Sequence, residues 1–163
     1  MPKQTKEHID VWNQGLQNIK NKFSDYNPSI FKDTEYTAII VEPRKHEDLE
    51  IICKNVMYYL NESGSDVKWG LKIYYGNKNE QFVKHFTKNW NNIQLENLEI
   101  DDLSGILYND MFKTTKFWET IPTENVLIFQ TDTILRRFGI DEFISYNYVG
   151  APWIRYREGK IVG

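Results

Sequence analysis

The stretch Asn125-Val126-Leu127-Ile128-Phe129-Gln130-Thr131-Asp132-Thr133 decides how the chain folds. Four apolar residues end abruptly on polar ones. This is the pattern of a buried strand that delivers a carboxylate past its C-terminal end. Open α/β sheets bind ligands outside that end. Asp132 is therefore either a ligand-facing carboxylate or an ordinary cap on the segment that begins at Thr133. Basic Arg136-Arg137 follows, and then an aromatic turn from Tyr146 to Trp153.

Upstream, the chain alternates. Ile9, Trp12, Leu16, Ile19 and Phe23 form one apolar stripe, so residues 1–28 predict an amphipathic helix ended before Pro28. The stripe packs on the outside of the domain or, alternatively, pairs with a second copy in a homodimer. Tyr36 to Arg44 reads as a first buried strand, stopped by Pro43. The following helix carries Leu49, Ile52, Cys53, Val56 and Leu60 on one face, with Glu47, Asp48 and Glu50 in its first turn. Cys53 on that face reads as a buried small hydrophobe.

Val67 to Tyr75 is the second strand, Asn79 to Trp90 a short helix with His85 on its flank, and Asn91 to Ile100 a third, edge strand. Leu103 to Glu119 reads as one helix, capped by Asp102 or Ser104, with Ile106, Leu107, Met111, Thr114 and Trp118 along its face. Strands alternating with helices predict an α/β fold with a mostly parallel, Rossmann-like sheet and helices on both faces. The expected division is the helix at 1–28 and a single domain at 29–163.

At 163 residues, 40% hydrophobic and 15% aromatic, the chain is long and apolar enough to bury a core. A net charge of −3 argues against nucleic acid as a partner. One cysteine excludes an internal disulfide framework and suits a cytoplasmic location. No apolar run is long enough for a membrane span. The signatures GxGxxG, GxxxxGK[ST], GxSxG and HExxH are all absent, which disfavours dinucleotide-binding, P-loop, serine-hydrolase and zinc-protease readings. The lack of a Gly-rich first loop also argues against a methyltransferase. What remains are polar groups after two strands: Glu42 and Arg44 after the first, Gln130 and Asp132 after the fourth. A carboxylate there can hold a divalent ion, and an arginine can pair with a diphosphate or brace the carboxylate. The plainer reading pairs Glu42 with Arg44.

Several motifs occur in order: IIVEPR at 39–44, Tyr108-Asn109, Phe117-Trp118, LIFQTD at 127–132, Asp141-Glu142-Phe143 and YVGAPW at 148–153. Together, over roughly residues 36–163, they resemble a glycosyltransferase-like domain family of unknown function found in large DNA viruses and microbes. The resemblance implies a GT-A-like sheet that binds a nucleotide diphosphate sugar and transfers the sugar to an acceptor. A viral gene would place the protein in the host cytoplasm. The resemblance puts Val41, Glu42 and Arg44 near the base or ribose, Gln130 and Asp132 at the diphosphate, and Gly150 and Trp153 along the sugar side of the cleft. The family's acidic metal motif has two aspartates. Thr131-Asp132-Thr133 has one, so the role of holding Mn2+ or Mg2+ is carried to Asp132 alone. No residue maps to a catalytic base. Residues 161–163 fall where the family's glycine-rich segment begins, so the expectation is a donor-binding half of a longer protein. The alternative is a non-catalytic binding or assembly module on the same fold.

Overall fold

A computed structural model describes residues 6–150 and the backbone of residues 155–157 and 160–162. Helix α1 spans Lys6–Phe23, followed by β1 (Tyr36–Val41), α2 (Leu49–Asn61), β2 (Trp69–Tyr75), α3 (Glu80–Phe86) and β3 (Gln94–Asn97). Then come α4 (Gly105–Met111), α5 (Thr115–Trp118), β4 (Asn125–Phe129), a 3-10 turn (Ile140–Phe143) and the short strands β5 (Arg155–Arg157) and β6 (Lys160–Val162).

Strands β1 to β4 form one parallel sheet in the order β3-β2-β1-β4, and β5 pairs with β6 in a separate antiparallel ribbon. The α/β fold expected from the alternation is therefore present, with β3 on an edge as read. The chain moves outward from β1 to β2 to β3, then returns across the sheet to place β4 on the far side of β1. Right-handed crossovers in opposite directions put their helices on opposite faces. Accordingly α1, α2 and α3 cover the face built from Ala38, Ile40, Leu71, Ile73, Tyr75 and Phe129. Phe117 of α5 covers the other face, against Ile39, Val41 and Tyr74, with Tyr108 and Met111 of α4 beside it. The period-2 alternation of strand side chains thus divides one sheet between two cores.

Helix α1 packs on the domain: Ile19 and Phe23 are buried in the main core, with Trp12 and Leu16 against it. Lys20 pairs with Asp48, the residue preceding α2, at 2.6 Å. Asp48 stands at the N-cap and Glu50 in the first turn, while Glu47 lies outside the helix. Cys53 is fully buried, and burial pushes its thiol up from its usual range.

Three expectations need correction. The fourth strand is not buried. It pairs with β1 alone among the described residues, and Ile128 is 42% exposed. A short apolar run looks the same in a buried strand and in an edge strand covered on one face. The stretch 103–119 is not one helix. Thr114 adopts an extended conformation, accepts from the Phe117 N–H at 3.4 Å and starts α5 afresh. That break rotates the packed face. Ile106 and Leu107 stand 74% and 57% exposed; Met111 packs as expected, joined by Tyr108, Phe112 and Phe117. Of the two proposed caps, Ser104 is the one used: its hydroxyl accepts from the Leu107 N–H at 3.3 Å.

Candidate ligand site at the switch point of the sheet

The strand order reverses at β1, so the C-terminal ends of β1 and β4 diverge into the crevice where parallel sheets take their ligands. Ile40 is level with Phe129 in the ladder, which sets Glu42 and Gln130 at the same rim. Four of the residues singled out from the sequence, Glu42, Arg44, Gln130 and Asp132, are therefore carried to one end of the sheet by two adjacent strands.

Their states differ. Glu42 is buried, at 3% exposure. Its two carboxylate oxygens accept from Arg44 Nε and Nη2, each at 2.9 Å, and Oε1 also accepts the Arg44 backbone N–H at 3.0 Å. A buried carboxylate is tolerated when it is paired and hydrogen-bonded in this way. This is the mutual pairing that the plainer reading expected. The bidentate bond from Glu42 raises the Arg44 guanidinium above its ordinary value, and the charge of Asp102 adds to the effect. The Arg44 side chain itself is 61% exposed. Val41 spends its side chain on the core, leaving only its backbone near the rim.

Gln130 and Asp132 are exposed on the turn after β4. The Gln130 N–H donates to Thr133 Oγ1 at 3.2 Å and the Thr133 N–H returns to the Gln130 carbonyl at 3.0 Å, so the turn is closed on itself. Asp132 also borders an open groove of about 540 Å³ between this segment and α1, lined by Trp12, Lys22, Tyr59 and Ile134 among others. Gly150 is exposed, and a side chain placed there would first meet Tyr148. Trp153 lies outside the described residues.

Two residues that the sequence reading left without a role complete the site. Asn79 is fully buried. Its amide donates to the carbonyls of Glu42 at 2.7 Å and Arg44 at 2.9 Å, and its Oδ1 accepts the Gly76 N–H at 2.8 Å. One side chain thus ties the end of β1 to the end of β2. Gly76 must be glycine for the same reason, since a Cβ there would lie 2.1 Å from the Ile100 carbonyl and 2.7 Å from that of Pro43. The signal was a strand running directly into Gly76-Asn77-Lys78-Asn79, where asparagine's affinity for nearby backbone groups is the informative property.

Tyr108 is the second. Its ring packs edge-on to Phe112 at 4.9 Å, against the α4–α5 face. Its hydroxyl is buried, and no protein group completes a hydrogen bond of good geometry with it. Such a group costs about 1–3 kcal/mol. Burial pushes the phenol up. The Gln130 side chain works against that shift, while the nearby charges of Asp132 and Glu42 add to it. Tyr108 packs against the core that contains Val41, the last residue of β1, and so lies toward the crevice.

The turn bearing Asp132 is anchored from below. Asn55, fully buried in α2, donates to the Leu135 carbonyl at 3.0 Å and accepts the Leu135 N–H at 2.8 Å. An asparagine side chain here pairs with the loop as a neighbouring strand would.

Among the described residues no group of three or more His, Cys, Asp or Glu side chains converges as a metal cage, and no helix is long and apolar enough to cross a membrane. No curated protein and no solved structure matches the chain. Residues 92–162, from the approach to β3 through β4 to the end of β6, match the model of a family described as a protein of unknown function (DUF5672).

Proposed function

We propose that the chain is the donor-binding part of a glycosyltransferase, taking a nucleotide diphosphate sugar in the crevice between β1 and β4. The observation that carries this reading is the convergence of Arg44, Gln130, Asp132 and Tyr108 at the switch point of a parallel sheet. A diphosphate needs N–H donors beside it, and the exposed guanidinium of Arg44 offers at the rim those that Glu42 does not bind. The uncharged parts of a nucleotide need donors and acceptors, and Gln130 and Tyr108 supply both. The tandem motifs LIFQTD and YVGAPW support the same reading.

Both oxygens of Glu42 are taken by Arg44, so Asp132 is the carboxylate that would hold Mn2+ or Mg2+. The ligand's phosphate oxygens complete the shell, as such ions commonly allow. Bound there, the ion would neutralise charge on the departing diphosphate.

Titration calorimetry of the full chain with UDP- and GDP-sugars, with and without Mn2+, tests the proposal. We expect metal-enhanced binding that Asp132→Ala weakens at least about tenfold, or ~1.4 kcal/mol. Absence of binding to every common donor, with and without metal, would remove the proposal. A second reading, a non-catalytic binding module, is favoured by the self-neutralised Glu42–Arg44 pair and by the single aspartate in Thr131-Asp132-Thr133. It predicts nucleotide binding with no transfer or hydrolysis of the sugar.

A further inference from the structure

We propose that the Tyr108 hydroxyl, with the Gln130 amide beside it, hydrogen-bonds the uncharged nucleoside portion of the ligand and so sets which nucleotide the crevice accepts. This rests on the nucleotide-sugar reading and adds to it a pair of specificity-determining residues.

The hydroxyl adds nothing to the packing of its own ring. The Tyr108 ring is held by Phe112 and by the core that contains Val41 and Phe117. A phenylalanine would make those contacts equally well. The hydroxyl is buried, and its one polar neighbour, the Gln130 side chain, makes no hydrogen bond of good geometry with it, so it adds little to folding. A polar atom that weakens the free protein and faces the ligand end of the sheet is understandable if a ligand satisfies it.

The chemistry of that ligand follows from the surroundings. Asp132 and Glu42 both act on the hydroxyl through space, and Glu42 is already neutralised by Arg44. The remaining charge, on Asp132, disfavours a phosphate at this position. Burial, with that charge adding to it, holds the phenol above its ordinary range, so the hydroxyl remains able to donate. Gln130 adds one carbonyl acceptor and two N–H donors from an exposed side chain, while its backbone stays fixed by Thr133. A hydroxyl and a primary amide side by side complement a base edge or a ribose diol. The diphosphate is then left to Arg44 and to the divalent ion that Asp132 would hold.

The test uses the full chain, with UDP, GDP and inorganic pyrophosphate as probes in calorimetry, alongside thermal melts. Tyr108→Phe is expected to melt at or above the wild-type temperature, to lose about 10- to 100-fold in affinity for the preferred nucleotide, and to bind pyrophosphate unchanged. Gln130→Ala is expected to lose nucleotide affinity in the same direction with its melting temperature unchanged. A Tyr108→Phe protein that melts several degrees lower marks the hydroxyl as structural and overturns the inference. So does equal nucleotide affinity in wild type and Tyr108→Phe, or an equal loss for pyrophosphate. In those cases the donor-site reading stands as long as the wild type binds nucleotide. A wild type that binds none of the nucleotides overturns both.

Discussion

Replacing Asn79 by alanine removes three hydrogen bonds at one stroke, at 2.7, 2.8 and 2.9 Å, all to backbone groups. The consequences are unequal. Arg44 is exposed, and its carbonyl can turn to water. Gly76 and Glu42 are buried, so the Gly76 N–H and the Glu42 carbonyl lose their partner away from solvent. Each such orphan costs about 1–3 kcal/mol. The sum is roughly 2–6 kcal/mol, centred near 4. For a domain of 150–250 residues, 1 kcal/mol moves the melting temperature by roughly 2–4 °C, so the expected fall is about 8–16 °C. Denaturant titration followed by tryptophan fluorescence gives the free energy directly. Asn77→Ala is the control. Asn77 is exposed and accepts one bond from Asn97 at 3.1 Å, and its loss should stay within about 0.5 kcal/mol. If Asn79→Ala costs no more than Asn77→Ala, the two strand ends are held by something else, and the account given of the rim is wrong.

Two further outcomes concern the same scaffold. Gly76→Ala drives a Cβ into the carbonyls of Ile100 and Pro43, which are backbone atoms and cannot rotate away. It should destabilise by about 1–3 kcal/mol or more, read as a lowered denaturation midpoint. Cys53 sets an alkaline limit. Its thiol is raised by burial, whereas in the unfolded chain it releases its proton near pH 8.5. Above that pH the folded state holds the extra proton, so stability falls as pH rises, by at most about 1.4 kcal/mol per pH unit for this group. Cys53→Ala should be less stable overall yet show a shallower loss between pH 8.5 and 9.5, measured as midpoint against pH. Equal slopes in the two proteins would refute the assignment.

The β-α alternation was legible because β1, β2 and β4 are short apolar runs with a turn signal behind each, β3 lies in a stretch that alternates, and α2 and α3 carry apolar stripes. The rim was legible for the same reason: Glu42, Arg44, Gln130 and Asp132 are the first polar residues after two such runs. What stayed hidden depends on partners distant in sequence. Whether β4 is central or at an edge is a property of its neighbours. The break at Phe112 to Thr114 depends on a threonine that serves as readily inside a helix as at its start. Asn55 and Asn79 gave no periodic signal, because a single buried polar side chain bonded to a loop 80 or 37 residues away leaves no pattern in its own element. Trp153, the aromatic expected on the sugar side, lies outside the described residues.

The reciprocal bond between Asn55 and Leu135 has a dynamic consequence. The turn from Gln130 to Leu135 is exposed enough to be taken for a free surface loop. Its backbone is nevertheless latched to the middle of α2, a helix buried on nearly every side. Amide protons at Leu135 should therefore exchange with solvent only on the timescale at which α2 itself opens, a sub-global event rather than a local flicker. The carboxylate of Asp132 then rides on a segment with the lifetime of the core, and a ligand arriving at the crevice meets a site already set.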